Sequence, residues 1–113
     1  MHEIGVLMEV VKSVETFSKE NKVEKIDKLV LQIGELSSMI PKYMQSLYSV
    51  AVEGSILEGS KLEIEVLPAN GICKDCEKVF NVIKNKGICP LCETDNWEML
   101  SGKEFNIKEI VCY

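Results

Sequence analysis

Four of the five cysteines stand as two Cys-x-x-Cys pairs, Cys73-Lys74-Asp75-Cys76 and Cys89-Pro90-Leu91-Cys92, with twelve residues between them. A thiolate is a soft, anionic ligand, and each pair can close a knuckle that aims two sulfurs at one ion. Two facing knuckles complete the tetrahedral tetrathiolate that zinc favours, and iron accepts the same geometry. Four protein ligands leave no position for water or substrate, so such a site is structural. A redox dithiol at Cys89-Pro90-Leu91-Cys92 is the rival reading. It normally requires a strand-to-helix setting, whereas this pair lies in a Gly-containing stretch with a second pair close by. The intervening Val79, Phe80, Val82 and Ile83, with a turn at Asn85-Lys86-Gly87, suit a hairpin joining the knuckles, and Phe80 and Trp97 are expected to cover them.

The second chemical feature is the sole histidine, His2. A single histidine at a chain end can be incidental. Directly after the initiator, however, the α-amine of Met1, the amide nitrogen of residue 2 and the imidazole Nδ1 can chelate one ion through fused rings. The backbone amide or the carboxylate of Glu3 can supply a fourth donor, giving the planar, nitrogen-rich site that Cu(II) or Ni(II) prefers. Methionine is retained before a residue as large as His, so this spacing is expected to survive processing.

The elements that must position these groups follow from apolar periodicity. Ile4, Leu7, Met8, Val11, Val14 and Phe17 mark one face of a helix over residues 4 to 19, and the polar run Lys19 to Lys28 reads as a connecting loop. Leu29 to Ile33 form a strand that stops at Gly34. Pro41 opens a second helix whose buried stripe is Met44, Leu47, Tyr48, Ala51 and Val52. In Lys61 to Leu67, Leu62, Ile64 and Val66 alternate with Glu63 and Glu65, predicting a strand with one wet face, and Pro68 ends it. Phe105 to Val111 supply a third strand, with a residue slip near Lys108 that reads as a bulge. The fold class is therefore α+β (α/β-like): two helices packed on a small three-stranded mixed sheet, with an inserted zinc-ribbon module reaching from the sheet's end. The domains are expected to be residues 1–69 plus 100–113, and residues 70–99.

With 113 residues, 46% hydrophobic and 27% charged, the chain has the composition of a folded domain. No apolar stretch approaches the roughly 20 residues a bilayer demands, and no leader opens the sequence, so a cytoplasmic, non-membrane protein is expected. An odd cysteine count in such a chain favours metal binding over disulfides. All thirteen cations are Lys, there is no Arg, and the net charge is -5. A filled tetrathiolate site adds -2 and takes the net to about -7. Within residues 71 to 99, four Lys meet five acidic residues, so nucleic-acid binding is not expected. Gly54 to Lys61 is not a phosphate loop, since its Lys is one place late and a helix precedes it. A Ser/Cys-His hydrolase also lacks its parts, so no enzyme is expected.

Met1-His2-Glu3 leading a helix, Gly34-Glu35-Leu36-Ser37 after a strand, Glu58-Gly59-Ser60-Lys61-Leu62 before another, the paired Cys-x-x-Cys motifs and the closing Gly102-Lys103-Glu104-Phe105-Asn106-Ile107 together resemble the HypA/HybF hydrogenase maturation proteins. The resemblance spans essentially the whole chain. It implies a nickel metallochaperone with Ni(II) at His2, Glu3 as a secondary contributor, and zinc on Cys73, Cys76, Cys89 and Cys92. It also implies delivery into the large-subunit precursor of [NiFe]-hydrogenase with a nickel-handling GTPase, in some cases service to urease, and a monomer or homodimer. Gly5-Val6-Leu7 departs from the family's more polar helix start, and Cys112 is an additional thiol, expected to be buried on the last strand. A zinc-ribbon protein-interaction module, of the kind found in transcription-related proteins, is the alternative. Only the chaperone reading depends on His2.

Overall fold

The structure is a computed structural model that describes residues 3–113. Helix α1 (Glu3–Glu20) leads to strand β1 (Ile26–Gly34), helix α2 (Pro41–Ala51) and strand β2 (Lys61–Leu67). The short strands β3 (Asn70–Cys73), β4 (Val79–Asn81) and β5 (Trp97–Met99) follow, and β6 (Phe105–Cys112) closes the chain. One sheet has the order β2-β1-β6 and a second the order β4-β3-β5. Lys25 and Tyr113 exchange backbone hydrogen bonds at one end of β1, while the Gly34 N–H donates to the Glu104 carbonyl at the other, so β1 and β6 are antiparallel. Glu35 N–H meets the Leu67 carbonyl where β1 and β2 both end, and Lys28 pairs with Glu63 nearer their starts. These two strands are parallel and the sheet is mixed, with α2 as the crossover. The α+β class expected from the sequence is the one observed.

The chain forms two compact units. The first comprises the chain up to Leu31 with Ser38–Glu65 and Asn106–Tyr113, and the second comprises Gln32–Ser37 with Val66–Phe105. In the first, Leu7, Val14, Leu29, Leu31, Met44 and Leu57 are fully buried. In the second, Ala69, Cys73, Phe80, Val82 and Cys89 form the core, with Cys76, Trp97 and Met99 packed against it.

Several local expectations need correction. The buried stripe of α1 is Glu3, Leu7, Val10, Val11, Val14 and Ser18, whereas Ile4, Met8 and Phe17 are exposed, Met8 by 52%. The helix is rotated by part of a turn from the expected face, because apolar residues on both flanks of the stripe leave its centre undetermined until α2 packs against it. The loop is shorter than expected. Lys22 adopts φ 53 just past the helix and the Val23 N–H reaches back to the Ser18 carbonyl at 2.9 Å, the left-handed stop that Gly usually provides, so β1 can begin at Ile26. In β2 the alternation slips at the half-buried Glu65, which pairs with Lys108, and Val66 is left 52% exposed. Strand β6 runs unbroken, and Cys112 is half-buried rather than buried.

Candidate metal centre

The two knuckles are built alike. In the first, Glu77 N–H donates to the Cys73 carbonyl at 2.8 Å and Cys73 N–H to the Lys78 carbonyl at 2.9 Å. In the second, Glu93 N–H donates to the Cys89 carbonyl and Cys89 N–H to the Thr94 carbonyl, both at 2.9 Å. Glu77 (φ 63) and Glu93 (φ 59), each four residues past the first cysteine of its pair, take the left-handed conformation that turns the chain back. The matching closures make each Cys-x-x-Cys a local, self-contained turn. Strand β3 carries the first knuckle, pairing with β4 through Gly71↔Phe80 and with β5 through Cys73↔Trp97.

The four sulfurs converge. Cys73 Sγ lies 3.3 Å from Cys92 Sγ, Cys76 Sγ lies 3.6 Å from Cys89 Sγ, and all four fall within 4.8 Å of one another. A tetrahedron with metal–sulfur bonds of about 2.3 Å has edges of about 3.8 Å, so the cluster has the dimensions of a tetrathiolate metal site. Cys73 and Cys89 are buried, Cys76 half-buried and Cys92 exposed. Phe80 and Trp97 meet edge to face at 6.2 Å beside Cys73 and Cys89, as the sequence leads one to expect, and the Trp97 indole N–H donates to the Gly87 carbonyl at 2.8 Å.

The thiols differ in acidity. Burial pushes Cys89 up, but N–H groups of Cys92 and Leu91, with help from the Cys76 and Cys92 thiols, outweigh it and bring Cys89 down to about 7. The Cys73 sulfur, then burial, push Cys92 up to about 12. At Cys76 the Lys78 N–H favours the thiolate, yet burial and the Cys89 and Cys73 sulfurs prevail and raise it. Packed sulfurs resist collective ionisation, and a divalent cation among them is what stabilises four thiolates at once.

Of the residues singled out at the N-terminus, Met1 and His2 lie outside the described residues. Glu3 is inside them, 2% exposed in the first turn of α1. Its Oε2 accepts the Ile40 N–H at 3.3 Å, and Ile40 is the N-cap of α2 and has no side-chain cap of its own. With Pro41 next and no acidic residue in its first turn, α2 receives from Glu3 the acceptor that its own N-cap side chain does not supply.

Two carboxylates were not anticipated as site residues. Glu35 Oε1 accepts the Ala69 N–H at 2.8 Å and the Asn81 side-chain amide at 3.2 Å, and the Ala69 bond, then the Asn81 bond, hold its acid below the usual value of 4.5. Glu104 Oε1 accepts the Gly102 N–H at 2.6 Å, the leading reason that its acid is lowered from the same value. Both were visible in the sequence only inside motifs, Gly34-Glu35-Leu36-Ser37 and Gly102-Lys103-Glu104, that named no partner for either carboxylate.

The model of one family, described as hydrogenase/urease nickel incorporation, metallochaperone, hypA, matches residues 1–112. The chain belongs to the HypA family. A Hydrogenase maturation factor HypA of Nostoc punctiforme is 34% identical over 110 residues, covering 97% of this chain and 94% of that protein. A protein of the same name from Trichodesmium erythraeum is 31% identical over the same share of each chain. The solution structure of the Ni metallochaperone HypA from Helicobacter pylori is similar with a TM-score of 0.67 at 28% identity, covering 99% of this chain and 97% of that one. A second solution structure of a HypA protein aligns with a TM-score of 0.73, also at 28% identity, covering 100% and 97%. HypA proteins are hydrogenase maturation factors, and the cysteine cluster of this member fits the zinc site expected of such a chain. No described helix is long and apolar enough to cross a membrane.

Proposed function

We propose that this HypA chain is a cytoplasmic nickel metallochaperone and not an enzyme. Ni(II), its cargo, is held by the Met1 amine, the amide and imidazole of His2, and Glu3 as a further contributor. Zinc sits on Cys73, Cys76, Cys89 and Cys92 and supplies folding energy rather than reactivity. Residues 1–69 with 100–113 act as the nickel-binding domain and 70–99 as the zinc-binding domain. The cargo passes to the hydrogenase large-subunit precursor in concert with a nickel-handling GTPase, with urease machinery as a further client. The observation that carries the reading is the match over residues 1–112, which takes in the terminal Met1-His2-Glu3 together with all four cysteines. A stand-alone zinc-ribbon module leaves that terminus without a role.

The buried Glu3 refines the proposal. Oε2 of Glu3 is already engaged by the Ile40 N–H, so the carboxylate would serve nickel and the start of α2 together, and its contribution is expected to be smaller than that of His2. Nickel titration of untagged protein, with cysteines reduced and zinc in place, tests the reading. His2→Ala is expected to abolish tight planar binding without changing the fold, and two residues left ahead of Met1 to do the same by moving the α-amine out of its chelate ring. Protons compete with nickel at amine and imidazole donors, whose reference values in free peptides are about 8 and about 6.5, so affinity should weaken as pH falls from about 8 towards about 6. Unchanged nickel binding in His2→Ala or tagged protein would refute the terminal site.

A further inference from the structure

The nickel and zinc assignments leave Gly34-Glu35-Leu36-Ser37 without a task. Around it the backbone packs closely: a Cβ on Gly34 would lie 2.1 Å from the carbonyl carbon of Gly102. Only a glycine permits that approach. It brings the Leu36 N–H to the Gly102 carbonyl at 2.7 Å and the Glu35 N–H to the Leu67 carbonyl at 2.8 Å. The Glu35 side chain therefore departs from a backbone held on both sides, and its carboxylate receives two donors, Ala69 N–H and Asn81 Nδ2.

Asn81 is the last residue of β4, and its side chain works at both ends. Nδ2 donates to Glu35, while Oδ1 accepts the Ile83 N–H at 3.0 Å and the Lys84 N–H at 2.9 Å. A carboxylate can only accept, so it forces the nitrogen of the amide towards itself and the oxygen towards the turn. The turn continues with Asn85 donating to the Asn81 carbonyl and Gly87 N–H to the Val82 carbonyl at 2.8 Å. It ends where the Gly87 carbonyl receives the Trp97 indole N–H. Trp97 rests on Phe80, and Phe80 and Val82 share their core with Cys73 and Cys89.

The geometry points to Glu35 as a positioning residue of the cysteine module: by orienting Asn81 it braces the turn at residues 81–87 that seats Trp97 beside Cys73 and Cys89, and so strengthens the hold of the four thiolates on a divalent metal. This rests on the reading of those cysteines as a metal site. The lowered acidity constant of Glu35 is in keeping with it, since the Ala69 and Asn81 donors favour the ionised carboxylate.

Spatial succession does not establish coupling, so the test is a double-mutant cycle on the full-length, zinc-loaded, reduced protein. Two quantities are read: zinc retention against a chromophoric chelator, and amide exchange at Ile83, Lys84 and Gly87. Glu35→Ala should weaken zinc retention and speed exchange at the turn by about fivefold, the scale of one ordinary hydrogen bond. Asn81→Asp keeps an acceptor for the turn but faces Glu35 with a like charge, and should lose at least as much. Combining Glu35→Gln with Asn81→Asp reverses the polarity of the bond, because the glutamine amide can donate to the aspartate and still accept from Ala69. This pair should return to within about twofold of wild type. Zinc retention and exchange unchanged in Glu35→Ala and Asn81→Asp, or a Glu35→Gln/Asn81→Asp variant that loses as much as Asn81→Asp alone, would overturn the bracing role. A wild type that takes up no zinc would instead overturn the metal-site reading and, with it, any effect of Glu35 on the metal.

Discussion

The two compact units are stabilised by different means. The first encloses Leu7, Leu29, Leu31, Met44 and Leu57 with no exposure to solvent. The core of the second is the small set Ala69, Cys73, Phe80, Val82 and Cys89, in which two of the buried side chains are candidate metal ligands. Apolar burial stabilises a fold whatever ions are present, whereas a core completed by thiolates depends on a cation to cancel their charge. A single chain thus joins a unit whose folding should not depend on metal with one whose folding should.

Metal removal should separate the units most sharply. Chelation under reducing conditions is expected to abolish amide protection across residues 71 to 99 and to leave α1, α2 and the first unit's strand segments protected. Protection that survived chelation in the cysteine module would contradict a metal-dependent core.

Truncation of the apolar core should do the reverse. Leu29→Ala removes a side chain with no exposure and is expected to cost about 2–5 kcal/mol, measured by denaturant unfolding, while zinc content stays stoichiometric. A coincident loss of zinc from the folded variant would mean that the two units are not energetically separate.

Glycine substitutions sharpen the contrast further. In the second unit Gly34→Ala drives a Cβ into the Gly102 backbone and should destabilise by about 3 kcal/mol, at the upper end of overpacking effects. In the first, a Cβ at Gly5 meets nothing within 4 Å among the described residues and its backbone is already helical, so Gly5→Ala should stabilise by about 0.5–1 kcal/mol. Thermal melts with a shift of the same sign for both would show that backbone crowding at Gly34 is not what distinguishes them.

The smallest effect concerns acid. Glu35 and Glu104 titrate below their usual 4.5 when folded, so the folded state gains from their ionised forms above that value and loses the gain as pH falls through the lowered constants. Protection of the Ala69 and Gly102 amides, taken relative to the free-amide exchange rate at each pH, should fall below about pH 4.5 in wild type, and Glu35→Gln and Glu104→Gln should each flatten the response at its own amide. An unchanged pH profile in both variants would assign the acid response to other groups, the thiolates first among them.

Legibility in the sequence followed the distance over which each feature is built. The knuckles close through bonds between Cys73 and Glu77 and between Cys89 and Glu93, so their spacing alone announced a metal site. The chelating potential of Met1-His2 likewise needs no fold, and helices α1 and α2 were recognisable because their repeat lies within a few turns. Register around a helix axis is less local. Ile4, Met8 and Phe17 matched the period of α1 as well as Val10 and Ser18 did, and only packing decided that the latter pair is buried. Val66 fits the alternation of β2 yet faces solvent because the half-buried Glu65 breaks the pattern.

The sequence by itself determined the grouping of the four cysteines, the order of elements and the α+β class, since each rests on residue chemistry or on short-range periodicity. The tertiary structure alone decided the roles of the carboxylates. Glu3 meets Ile40 across 37 positions, Glu35 meets Asn81 across 46, and a surface glutamate has the same local signature whether or not such a donor awaits it. A backbone N–H or side-chain amide becomes a partner only when folding brings it within hydrogen-bonding distance, and one-dimensional spacing holds no record of that approach.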